Sequence, residues 1–213
     1  MGRAVTTITS LPYTISASGH YELTGNLTAN GTDGIVVSAP NVVINLNGFS
    51  LNGTNNAGTA VAAINATNVT VHGGTISGFS AGADFSTNSK AQNLRIFNCG
   101  VAVKIFGNDC LVQDCFVIGL GANAFPYFGI LIQDASNVQV TGCHLSQCFD
   151  GVRCTSSATG NAILHNYIAS CTTGLELTSK DYYQGNIVTN CTTAFSGGKL
   201  SGERMAVIRS KAA

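Results

Sequence analysis

The chain has 213 residues, 45% of them hydrophobic and only 9% charged, so it can enclose a large core under a surface of short polar side chains. Ten basic and ten acidic residues cancel, which argues against nucleic acid or an anionic membrane as a partner, because no long-range positive field draws them in. No apolar run reaches the roughly 18 residues that a membrane span needs, and Met1-Gly2-Arg3 opens without the profile of a secretory signal.

Along the chain, short stretches such as Asn68-Val-Thr-Val71, Asn93-Leu-Arg-Ile96, Asp109-Cys-Leu-Val112, Asn137-Val-Gln-Val140 and Asn161-Ala-Ile-Leu164 alternate polar and apolar residues. That is the period of a strand with one buried face. About half a coil away runs a second frame. Phe79, Cys99, Pro126, Cys148, Cys171 and Cys191 are each followed three residues later by Gly or Ala (Gly82, Ala102, Gly129, Gly151, Gly174, Ala194) and then by an apolar residue. These anchors advance by 20 to 27 residues, a step that suits one coil of a solenoid. No helical stripe separates the strands, so βαβ units are excluded and the sheets must form by stacking coil on coil.

The expected fold class is all-β, a right-handed parallel β-helix of roughly seven to eight coils. Asn98, Asp114, Asn166 and Asn190 would stack at a turn as an amide ladder. The anchor cysteines would line the core as small apolar residues. The spacings of the eight cysteines match no zinc pattern, so no metal site and no cofactor are expected.

In these frames the chain resembles the pectin lyase-like superfamily of right-handed β-helices. Its opening, Ile8-Thr-Ser-Leu-Pro-Tyr-Thr-Ile15, Tyr21-Glu-Leu-Thr-Gly-Asn-Leu27 and Asn41-Val-Val-Ile-Asn-Leu-Asn-Gly-Phe49, is similar to that of many bacterial β-helix repeat proteins of unassigned function. One domain over 1–213 is expected, with an N-terminal cap at 1–30, coils at 31–196 and a C-terminal cap or tail at 197–213. Lyases of the superfamily need carboxylates that hold Ca2+ and an Arg or Lys base, and its hydrolases need closely spaced Asp pairs. The sequence has no Asp-Asp pair and no Gly-His-Gly.

Equivalent residues of successive coils lie about 4.8 Å apart, so outward positions form surface columns. After the Gly/Ala frame the column reads Val36, Ala63, Asp84, Lys104, Leu131, Arg153 and Glu176. Asp84 with Lys104, and Arg153 with Glu176, would make a charged groove for a polysaccharide; two surface ion pairs are the plainer alternative. Catalysis, if present, points to Lys104, Asp114, Asp134, Asp150 and Arg153. The break in the repeat at 119–128 puts Phe125, Tyr127 or Phe128 on a loop, where a ring can stack on a sugar or fold back on the core. His72, Thr141, His165 and Thr189 are read as one outward column, with Phe97 and Gln113 between them. Phe97, Leu111 and Ile163, with Ile187 beside them, would expose an apolar stripe for contact with another copy.

Two functions fit. The favoured one is a non-catalytic extracellular or cell-surface scaffold that self-assembles, binds glycans, or both. The alternative is a carbohydrate-active enzyme, a polysaccharide lyase, hydrolase or epimerase, with Ca2+ only in the lyase case.

Overall fold

The computed structural model describes residues 4–119, 127–201 and a short strand at 207–208. Among these residues there is no helix, and the strands pair in parallel with those one coil before and after. The chain is a parallel β-solenoid of about eight coils.

Each coil makes three short strands, and so three faces. The first face stacks nine strands, among them Tyr13–Ile15, Thr59–Ala63, Ala81–Phe85, Val101–Ile105, Phe128–Ile132, Asp150–Cys154, Thr173–Glu176 and Thr193–Ser196. The second runs from Val5–Ile8 and Gly19–Leu23 through Leu111–Gln113, Gln139–Thr141 and Ala162–Leu164 to Tyr182–Gln184. The third includes Ser50–Gly53, Phe116–Ile118, His144–Ser146, Tyr167–Ala169 and Ile187–Thr189. Two long strands, Val69–Ser77 and Lys90–Phe97, cross the corner between the second and third faces and serve both. On the first face the register joins Asp84 to Lys104, Lys104 to Leu131, Leu131 to Arg153 and Arg153 to Glu176, the same steps as the sequence anchors. Pairing already begins at Val5 and Tyr13, so the stretch expected as an N-terminal cap itself carries coil strands. Lys199–Leu200 and Val207–Ile208 likewise continue the ladders past residue 196.

The corners account for the abundance of Asn. Asn41, Asn68, Asn88, Asp109 and Asn137 occupy one corner with φ between 56° and 60°, a left-handed conformation that Asn and Asp tolerate because their short side chains hydrogen-bond locally. Asn68 Nδ2 donates to Asn41 Oδ1 at 2.7 Å, and Asn137 Nδ2 to Asp109 Oδ1 at 3.3 Å. The single ladder expected of Asn98, Asp114, Asn166 and Asn190 is divided. Asn98, Asp114 and Asn190 are left-handed corner residues on the outside. Asn166 instead points inward, one position later in its corner, and forms a buried ladder with Asn186. Asn166 Oδ1 accepts from the Cys143 N–H (2.8 Å), and its Nδ2 donates to the Val140 carbonyl (3.0 Å) and to Asn186 Oδ1 (3.0 Å). Asn161 and Asp181 repeat the arrangement at the preceding corner. Every polar atom of Asn166 is thereby engaged, which is what allows an amide in the interior.

The interior is one continuous apolar cluster from Ile8 to Val188, and each fully enclosed Ile or Leu contributes about 1.5 to 3 kcal/mol. Cysteines fill the remaining corner positions: all eight are free thiols, and all but the half-buried Cys191 are buried. Burial pushes the Cys99 thiol up to about 11, and contact with Cys148, followed by burial, takes Cys171 to about 12. Neutral thiols at these positions behave as apolar residues. The Gly/Ala frame has a steric cause. A Cβ at Gly151 would stand 2.6 Å from the Gly174 carbonyl oxygen and 2.7 Å from Ile168 on the opposite wall.

Candidate functional site

The outward column of the first face is Val36, Ala62, Asp84, Lys104, Leu131, Arg153 and Glu176. It differs from expectation at one position. Ala63 is fully buried and pairs with Phe85, because the small inward residue of that coil is Ala60 and the outward turn of the strand falls on Ala62.

Near the C-terminal end of this column the charges converge. Arg153 Nη1 lies 3.0 Å from Asp150 Oδ2 and 3.4 Å from Glu176 Oε2. The Asp150 side chain is fully buried and its Oδ1 has no hydrogen-bond partner. The guanidinium also lies over the Phe128 ring, 5.3 Å from its centroid. Three neighbours on three different coils therefore fix one cation, and its side chain remains 32% exposed. Burial, then the charge of Asp150, raise the Glu176 carboxyl above the usual range, while Arg153 opposes them. Beside the pair opens a cleft of about 550 Å³ lined by Arg153, Thr155, Ser156, Glu176, Thr178 and Ser196.

Toward the N-terminus the column behaves differently. Among the described residues no ion pair within 4 Å joins Asp84 to Lys104. The Lys104 ammonium packs over the Phe106 ring at 4.5 Å, and Leu131, almost fully buried, separates it from Arg153. Asp84 Oδ2 accepts a long 3.4 Å hydrogen bond from Thr59, but Oδ1 is buried without a partner. Burial accordingly raises the Asp84 carboxyl, against the pull of Lys104.

The other sequence candidates scatter. Asp134 is an exposed corner residue that accepts hydrogen bonds from Ser157 and Thr155 one coil on, which lower its carboxyl. Asp114 sits at the corner between the second and third faces, away from the cleft. Phe125 lies outside the described residues. Tyr127 lines a second, smaller cleft of about 240 Å³ with Asn56, Ser80, Gly100 and Val101. Phe128 is covered by Arg153 and is not an open stacking platform.

The expected apolar stripe is not one surface. Ile163 is fully buried, because strand alternation points it into the core with Val112 and Val140. Leu111 is half-buried on the second face, and Phe97 is exposed on the third. The column proposed for His72, Thr141, His165 and Thr189 also separates. His72 leads through Gln92 and Gln113 to Thr141 and then to Leu164. His165 is a left-handed corner residue, and Thr189 belongs to the column of Phe97 on the third face. Burial lowers the His72 imidazole, and His20 lowers it further.

One outward group was missed in the sequence. Arg95, Phe116, His144, Tyr167 and Ile187 follow one another on the third face. Arg95 lies over Phe116 at 5.5 Å, and the ring centroids of Phe116 and His144, and of His144 and Tyr167, are each 4.8 Å apart. Tyr167 and Ile187 are 41% and 38% exposed. The signal was available: each residue stands two places after a corner residue, namely Asn93, Asp114, Gly142, His165 and Gly185.

Among the described residues no three His, Cys, Asp or Glu side chains are grouped to hold a metal. No protein-family model matches the chain, and no curated protein does. Among solved structures it is similar to the Dettilon tailspike protein, with 15% identity and a TM-score of 0.48 over 95% of this chain and 40% of that one. The chain thus spans about two fifths of the length of that tailspike.

Proposed function

We propose that this β-helix is a non-catalytic scaffold, extracellular or displayed on a surface, that holds a glycan along its first face. The observation that carries the reading is the Arg153 and Glu176 pair at the mouth of the cleft, pinned from below by Asp150 and Phe128. A fixed donor beside a fixed acceptor, flanked by the Thr155, Ser156, Thr178 and Ser196 hydroxyls, suits a ligand rich in hydroxyl groups, and rigid strands supply the preorganisation that weak polar contacts need. Against catalysis stands the burial of Asp150: a carboxylate enclosed beneath an arginine cannot reach a glycosidic bond, which removes it as the acid or base partner of Glu176 that hydrolysis requires. Titration of a broad glycan panel by affinity electrophoresis tests the reading. Retention that weakens in Glu176→Gln for the glycans the parent holds, with no release of reducing ends, is expected; turnover of any polymer contradicts it.

The exposure of Phe97, Tyr167 and Ile187 on the third face favours a second property, association with another copy of the chain through that face. Light scattering should then give a concentration-dependent mass that falls to the monomer in Tyr167→Ser/Ile187→Ser.

A further inference from the structure

The charge balance at the cleft also selects among glycans, an inference that rests on the first face being a glycan surface. We infer that the saccharide bound there is uncharged where it meets Arg153 and Glu176, which grip neighbouring hydroxyls, and that uronate-bearing or sulfated chains are rejected.

A guanidinium that recognises a carboxylate or sulfate must offer it a free fork of donors. Here Nη1 is committed to Asp150 and Glu176, so an anion that takes the remaining Nε and Nη2 donors must share one guanidinium with two carboxylates that the fold holds in place. With both carboxyls ionised, one positive charge against two negative leaves the group at −1, and the buried Asp150 Oδ1 has no hydrogen bond to disperse its share. The next cation along the column is Lys104, two strand spacings or about 10 Å away, beyond the screening length of about 8 Å at physiological salt. It is also engaged with Phe106. Among the described residues that line the cleft, no second cation offsets the repulsion of an added anion.

A neutral sugar meets the opposite situation. Arg153 Nε and Nη2 donate to no described residue, and Glu176 Oε1 accepts from none. Each hydroxyl of a vicinal pair can both donate and accept, so two such groups satisfy the arginine and the glutamate together without disturbing the Asp150 contact. The other polar wall groups, Thr155, Ser156, Thr178 and Ser196, continue the surface without adding charge.

The test uses alginate and polygalacturonate, each beside its carboxyl-reduced form, so that backbone and linkage stay constant within a pair. Affinity electrophoresis of the full chain should retain the reduced polymers and bind the acidic ones at least about tenfold more weakly, the order expected for one uncompensated charge contact. Glu176→Gln keeps the size of the side chain and removes one negative charge. It should weaken the reduced polymer and bring the acidic one up by about tenfold. Equal or tighter binding of the acidic member by the unaltered protein overturns the inference while leaving the glycan surface standing. If no member of either pair is retained, the glycan reading fails and the inference falls with it. Thermal unfolding of Glu176→Gln close to that of the parent shows that any change lies in recognition.

Discussion

The first and third faces are built on the same coils yet treat their aromatic rings in opposite ways. On the first face Phe106 and Phe128 are covered by Lys104 and Arg153, so the rings serve as floors for cations. On the third face Phe116, His144 and Tyr167 pack ring against ring, and Tyr167 remains open to solvent. The cause is local. The first face carries a buried aspartate, Asp150, that demands a cation and thereby recruits Arg153 onto Phe128. On the third face Arg95 sits at the N-terminal end of the aromatic column, and the later positions stack on one another. An identical scaffold thus yields a polar grip on one side and an apolar strip on the other.

Five substitutions, one of them a rescue, probe that difference. The largest effect is expected for Arg153→Ala, which leaves Asp150 buried and unpaired and should cost about 3 kcal/mol in urea unfolding. Adding Asp150→Asn should return most of it, and a loss below about 1 kcal/mol would show that the first face is not organised around this ion pair. Next, Asn166→Ala strips the corner from which Tyr167 projects of three buried hydrogen bonds. A loss of about 2 kcal/mol is expected, with faster hydrogen exchange at Cys143 as the local readout.

Asp84→Asn should act in the other direction. The Asp84 carboxyl is raised by burial, with Asp33 adding to the shift and Lys104 and Thr59 opposing it. A carboxyl whose pKa is higher folded than unfolded stabilises the fold most when protonated and loses that contribution as pH rises through its folded value. At pH 7 the substitution should therefore add about 1 kcal/mol by relieving an unpartnered buried oxygen. The gain should vanish below the ordinary aspartate value of 3.8. A gain that persists in acid would assign the effect to packing. Last and smallest, Tyr167→Ala should cost about 0.5 to 1 kcal/mol and leave glycan retention unchanged, since the ring stands on the other face.

Much of the fold was legible because the solenoid repeats itself. The anchors from Phe79 to Cys191 carry the coil step, and Gly151 and Gly174 mark where opposing backbone and side chains close in. The column of Asp84, Lys104, Arg153 and Glu176 followed from that frame alone. Its partners did not. In the sequence Asp150 is only a spacer between the Cys148 anchor and Gly151, and no sequence period reports that the arginine three places on folds back over it along the same strand. Ile163 was misplaced for another reason. The corner between the second and third faces holds a single left-handed residue, so a one-residue error in locating it exchanges inside for outside. Counting from corner residues such as Asp114 and His165 removes that error and brings out the aromatic column.

The most direct measurement is a crystal structure of the chain soaked with a neutral oligosaccharide that it retains. The account predicts ordered sugar in the first-face cleft, with hydroxyls on Arg153 and Glu176 and the Asp150 contact intact. Sugar seated along Phe116, His144 and Tyr167, with the cleft empty, would contradict it.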